Sequence, residues 1–206
     1  MLINTLSLAL ISAVLSTVLG SLGAIGLYYS RGRLGRTVKG LSNISVINAE
    51  IVTAISLALV FSLISYGKTY FSLVVGHMTI CTPFVVLSVM PKLKQMDGSL
   101  YEAALDLGAT PMQALFKVIL PEILPGIFSG FMLAITLSLD DYIVPIFTKP
   151  ETFDTISTYV YNAVKNQAKS ELPALRALST VIFVIMIIVV IIMNVRADKK
   201  KKGGAR

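Results

Sequence analysis

Charge is scarce in this chain. Only 14% of its 206 residues are Asp, Glu, Lys or Arg, against roughly 25% in soluble domains. With a mean hydropathy of +0.79, that scarcity excludes a separate soluble domain and points to an integral membrane protein. Cysteine is nearly absent too. Cys81 is alone, so no internal disulfide can form, and its apolar surroundings make it a packing residue. His77 is the single histidine. With no second His or Cys at ligand spacing, a metal site is not expected, and His77 is read as a hydrogen-bonding partner for a neighbouring helix. No basic region follows Met1, so a cleavable leader is not expected. Gly67-Lys68-Thr69 ends like a phosphate-binding loop, but Ser62 stands where that loop needs glycine. No zinc-protease motif occurs. The chain therefore carries no nucleotide site of its own, binds no cofactor and is not expected to be an enzyme.

What is present is hydrophobic length. A spanning helix needs about 20 mostly apolar residues, and five stretches qualify: about Leu2–Tyr29, Ile44–Ser65, Phe71–Met90, Ile123–Phe147 and Leu178–Val195. This predicts an all-α, multi-pass membrane protein, with residues 1–206 forming one transmembrane domain. The net charge of +7 could suit nucleic acid, but its distribution does not. Arg31, Arg33, Arg36, Lys39, Lys92, Lys94, Lys117, Arg196, Lys199, Lys200, Lys201, Lys202 and Arg206 all fall on one side if the spans alternate. Lys68, Lys149, Lys165, Lys169 and Arg176 fall on the other. Cytoplasmic loops carry the excess of Lys and Arg. The larger set is therefore cytoplasmic, together with the basic tail 196–206 and the C-terminus, and the N-terminus is outside. The Lys199–Lys202 run reads as a stop signal touching anionic headgroups. Gly126 and Gly130, a GxxxG pair, and the small residues Ser16, Gly20, Gly23, Ala24 and Gly26 allow close helix approach in lipid. Internal packing is the favoured reading over a dimer face. Pro83 is expected to kink its span.

The loop at about 91–122 is the polar exception. Ser99 with Glu102 three positions on has the form of a capping box. Gly108 supplies a left-handed helix stop. Thr110, Pro111 and Gln113 make a second start, with Thr as cap and Pro at the first helical position. Pro121 is expected to interrupt that second helix. The result is two short helices with a fixed corner, the first about nine residues and roughly 13 Å long. Ala103 and Ala104 keep its surface low, while Leu100, Leu105 and Leu107 give it apolar contacts.

Three acids lie inside the expected spans: Glu50 in the second, Asp140 and Asp141 in the fourth. Stopping the fourth span before Asp140 leaves it too short, so its helix is expected to run past both aspartates. An acid at the centre of a lone spanning helix costs about 2.5–3.5 kcal/mol. No Lys or Arg lies within any expected span to offset this, so the acids are expected to face water, a partner or a cation. Adjacent residues point about 100° apart on a helix. Asp140 and Asp141 therefore cannot both face one pore, and one could instead bond a neighbouring helix or a backbone group freed near Pro145. Glu50 is placed towards the cytoplasmic half and the aspartates towards the outer half, acting in sequence. Tyr142, Tyr159 and Tyr161 could stack methylene chains or ammonium groups, or act as interface anchors.

The loop resembles the EAA loop of binding-protein-dependent ABC importer permeases. That pattern is EAA, three residues, Gly, nine residues, then I-x-L-P. Here it reads Glu102-Ala103-Ala104, Leu105-Asp106-Leu107, Gly108, then Val118-Ile119-Leu120-Pro121, with Val118 for Ile as the one departure. The resemblance implies that Glu102, Ala103, Ala104, Asp106, Gly108 and Pro121 couple the chain to a cytoplasmic ATPase. The runs ISLALVFSL, PFVVLSV and TLSLDDYIVPIF further resemble the second, C-type permease subunit of spermidine/putrescine importers. That likeness extends through the amphipathic outer segment at about 148–176. Its family usually carries one more N-terminal span, which the odd span count here would then lack.

The resemblance implies a type I ABC importer permease in the bacterial cytoplasmic membrane. Its implied partners are an ABC ATPase dimer that uses ATP, a second homologous permease, an extracytoplasmic solute-binding protein and the lipid bilayer. The implied cargo is a polyamine, a flexible polycation suited to a path through Glu50, Asp140, Asp141 and Tyr142. The alternatives are a permease for another solute such as ferric iron or thiamine, or a cation channel, which has no use for a docking elbow.

Overall fold

A computed structural model describes residues 1–30, 49–64 and 67–165, together with isolated helical positions between 173 and 188. Its helices are α1 (Leu2–Tyr29), α2 (Glu50–Leu63), α3 (Tyr70–Gln95), α4 (Ser99–Asp106), α5 (Pro111–Asp140), α6 (Ile143–Thr148) and α7 (Ile156–Lys165). Of these, α1, α3 and α5 are apolar and long enough to span a bilayer, at 28, 26 and 30 residues. The part of the expected second span before residue 49 and most of the fifth, Leu178–Val195, lie outside the described residues, as does the basic tail.

The three long helices pack on one another as the core. Their contact follows membrane logic rather than that of a soluble bundle. On α1 the buried face is small and polar (Thr5, Ala9, Ser12, Ala13, Ser16, Gly20 and Ala24 among others), while Leu6, Leu10, Val14, Val18 and Leu22 point outward. In lipid, large apolar side chains gain nothing by turning inward, whereas small ones let backbones close up. The buried hydroxyls of Ser12 and Thr17 donate to carbonyls one turn back, Leu8 and Ala13, both at 2.6 Å, so both donors are used within α1.

The glycines mark where the helices touch. A Cβ at Gly20 would lie 2.7 Å from Val85 Cβ, and one at Gly130 would lie 3.1 Å from Val85 Cγ1. At Gly126 it would lie 2.7 Å from Lys92 Cγ. The GxxxG pair is thus an internal α3–α5 seam, as expected. Cys81 is buried in this core, its Sγ 3.7 Å from the Ala134 carbonyl. α3 continues through Pro83 and Pro91, and begins at a reciprocal box between Thr69 and Ser72.

Two boundaries differ from the sequence reading. The helix after Pro111 is not stopped at Pro121: a π-turn over Leu115–Ile119 carries it into the span, with the Leu120 N–H bonded to the Leu115 carbonyl five residues back. Proline lacks a donor and fits the first turn of a new helical register. Just beyond the π-turn, Pro121 sits at such a start. The fourth span, expected to be unbroken to Phe147, instead breaks at Asp141, which is extended (φ −69°, ψ 127°).

Candidate functional site

Two features stand at opposite ends of α5. At its start is the elbow. α4 begins not at a Ser99–Glu102 box but at Asp97, whose Oδ1 accepts the Ser99 N–H at 3.0 Å and the Ser99 hydroxyl at 2.8 Å. Those two bonds, backbone first, hold the Asp97 carboxyl below the usual carboxylate range. With its N–H and hydroxyl both taken by Asp97, Ser99 is the first helical residue and Glu102 stays exposed.

The corner closes as a Schellman motif. The Ala109 N–H bonds the Ala104 carbonyl at 3.0 Å and the Gly108 N–H bonds the Leu105 carbonyl at 2.9 Å, with Gly108 at φ +84°. The expected Thr110–Gln113 box follows: Gln113 Oε1 accepts the Thr110 N–H at 3.1 Å and Thr110 Oγ1 accepts the Gln113 N–H at 3.3 Å. Stop and start share the four residues Leu107–Thr110, so no free rotor separates α4 from α5.

The elbow has two faces. Glu102, Ala103, Asp106 and Leu107 are exposed, Leu107 to 90%, and Met112 and Phe116 continue the same open character. Ala104 is the exception to the sequence reading. It is buried against the chain itself, so only Ala103 of the pair is available to another protein. Tyr101 packs into the core, its ring 5.4 Å from that of Tyr29 at the end of α1. Pro121 is exposed at the root of the span.

At the far end of α5 is the acidic break. Pro145 explains it. In an unbroken helix its ring would meet the Asp141 carbonyl and leave that group without a donor. The chain opens there instead, and Asp141 Oδ1 accepts the freed N–H groups of Ile143 and Val144 at 2.7 and 3.2 Å. Of the two alternatives open for the aspartates, Asp141 takes the backbone-capping one. Its other oxygen lies 3.7 Å from His77 Nδ1, with side-chain exposures of 5% and 1% for the two residues.

His77 Nδ1 is also 3.1 Å from Ser138 Oγ, which is 3.0 Å from Ser12 Oγ. The polar chain thus crosses α6, α3, α5 and α1, and His77 bonds a neighbouring helix as expected. α6 is pinned beneath: a Cβ at Gly76 would lie 2.5 Å from Val144 Cγ1, and the Thr148 carbonyl accepts the Ser72 hydroxyl at 2.8 Å. Sequence reasoning missed Ser12, Ser138 and Asp97, for which lone polar residues beside apolar runs were the available signal.

Asp140 and Tyr142, by contrast, are exposed. Glu50 opens α2, which runs beside α6. It is half-buried and within electrostatic reach of both Asp140 and Asp141. The sequence reading put Glu50 nearer the cytoplasmic half as a separate step; here its charge is felt by both aspartates around the break. Tyr142 stacks on Tyr161 of α7, with centroids 5.2 Å apart and planes 22° apart. No group of three or more His, Cys, Asp and Glu suited to a metal ion occurs among the described residues.

Comparison with known proteins places these features. A family model described as "binding-protein-dependent transport system inner membrane component" matches residues 16–202. The Spermidine/putrescine transport system permease protein PotC of Escherichia coli (strain K12) is 36% identical over 200 residues, covering 97% of this chain and 75% of that protein. PotC of Haemophilus influenzae is 34% identical over 180 residues, covering 87% and 70%. The Putrescine transport system permease protein PotI of E. coli is 30% identical over 181 residues, covering 84% and 64%. Among solved structures, an inward-facing MetNI methionine ABC transporter aligns with a TM-score of 0.74 at 20% identity, covering 98% of this chain and 94% of that one. At that identity the likeness concerns the fold. With its matched length, its stiff external elbow and its small-residue helix core, the chain belongs to the family of binding-protein-dependent transport system inner membrane components.

Proposed function

We propose that this chain is one of two permease subunits of an ATP-driven importer for polyamines, with spermidine and putrescine as cargo. The observation that carries the reading is the continuity of α5. A single helix of 30 residues, about 45 Å long, has the exposed elbow locked to one end and the acid cluster at the other. A push on Glu102, Ala103, Asp106 and Leu107 cannot be absorbed at the corner. It moves Asp140 relative to α2 and its Glu50. An ABC ATPase dimer on the cytoplasmic side supplies that push, and an extracytoplasmic solute-binding protein delivers cargo near α7. Asp140 and Glu50 offer paired negative charge to a passing polycation, while Asp141 holds the break in shape. The substrate class is supported by the acid cluster and by the names of the relatives.

The test is uptake of labelled spermidine, putrescine and thiamine by vesicles containing the chain with its complete set of partner subunits. Expected is ATP-dependent accumulation of the polyamines and none of thiamine. Accumulation of thiamine alone, or of no polyamine, overturns the cargo assignment.

A further inference from the structure

Two residues on from Asp140, a tyrosine stacks on a second one from a different element. Tyr142 belongs to the break and Tyr161 to α7, 19 positions on, and the rings lie nearly parallel with centroids 5.2 Å apart. Each residue is also two-fifths exposed, at 41% and 40%. Asp141 turns inward to His77 and the α6 N–H groups. Asp140 and Tyr142, on either side of it, are exposed.

Tyr161 is held independently of the stack. The Ile156 N–H at the start of α7 bonds Thr5 Oγ1 at 3.0 Å, and the Ser157 hydroxyl bonds the Leu139 carbonyl at 3.2 Å, one residue before Asp140. The platform is thus anchored to the same end of α5 that carries the acid. Lys149, at the C-cap of α6, is engaged by Asp154 at 2.7 Å.

A carboxylate and an aromatic face side by side are what an alkylammonium needs. The acid takes one ammonium, and the ring takes the methylene chain or a second ammonium through its quadrupole. We propose that the Tyr142–Tyr161 stack is an aromatic subsite that receives the aliphatic ammonium chain of the cargo as it passes Asp140. This rests on the polyamine reading above.

The experiment measures spermidine uptake per assembled complex in the same vesicles, with assembly read by co-purification of the ATPase. Tyr142→Leu and Tyr161→Leu keep apolar bulk but remove the π face. Each is expected to cut uptake about fivefold, the scale of a lost exposed-to-partly-buried cation–π contact. The double variant is expected to fall little further than either alone, because the rings act as a unit. Tyr142→Phe and Tyr142→Trp keep a ring face and are expected to stay within about twofold of the parent. Leu variants that transport at the parent rate overturn the subsite. So does a Phe variant as impaired as Leu, since the hydroxyl would then be what matters. A Leu variant that loses assembly while uptake per complex is unchanged identifies an interface anchor and also overturns it. If the parent itself takes up no polyamine, the cargo assignment fails first, and the subsite with it.

Discussion

Asp140 and Asp141 are adjacent in sequence and opposite in circumstance. Asp141 is enclosed and occupied by two backbone donors, whereas Asp140 is exposed beside Glu50. The two are expected to fail differently. Asp140→Asn removes an exposed charge and is expected to reduce polyamine uptake at least several-fold, while the complex assembles and melts as the parent does. Asp141→Ala strips the cap from α6 and is expected to cost about 1–2 kcal/mol, visible as a lower melting temperature in detergent and a smaller assembled fraction. Equal melting behaviour for the two variants would contradict this division. The double meaning of the pair is partly legible in the sequence: the two aspartates cannot both face one path, and bonding to a neighbouring helix or to backbone freed near Pro145 is the alternative open to one of them. Which one was not legible, because it depends on the break, and the break depends on a proline four residues downstream together with the space left by Gly76.

At the scale of elements, the elbow is a lever because both of its joints are closed. Local chemistry wrote most of it plainly. A left-handed glycine and a Thr–Gln box act within three or four residues, so their meaning survives without tertiary context. What stayed hidden was tertiary: that Ala104 turns inward, that Asp97 displaces Ser99 as cap, and that a π-turn lets the helix pass Pro121. Gly108→Val tests the joint directly. At φ +84° a β-branched side chain is strained by about 1–2 kcal/mol, and the corner is expected to reopen. Stimulation of ATP hydrolysis by loaded binding protein should fall several-fold in this variant, with basal hydrolysis retained. Stimulation undiminished from the parent counts against the elbow as the coupling element.

Over the whole molecule, small residues set the helix contacts: α1 buries serine, glycine and alanine and turns most of its leucines outward, against a core of Val85, Val89, Leu93 and Ile123 from α3 and α5. Hydropathy alone showed where chain could cross lipid, and the three longest described helices agree with it. It could not show that Glu50 comes within electrostatic range of Asp140, since that arises from α2 packing beside α6. The central claim is that the elbow lies on the cytoplasmic face and touches an ATPase. The most direct measurement places a single reactive thiol there, Ala103→Cys, with Cys81 buried and silent. Labelling by a membrane-impermeant maleimide and crosslinking to the ATPase are then followed in right-side-out and inverted vesicles. The account predicts labelling only in inverted vesicles, protection by the ATPase, and a crosslink that changes with nucleotide. Labelling from the outside, or a thiol that never reaches the ATPase, would contradict it.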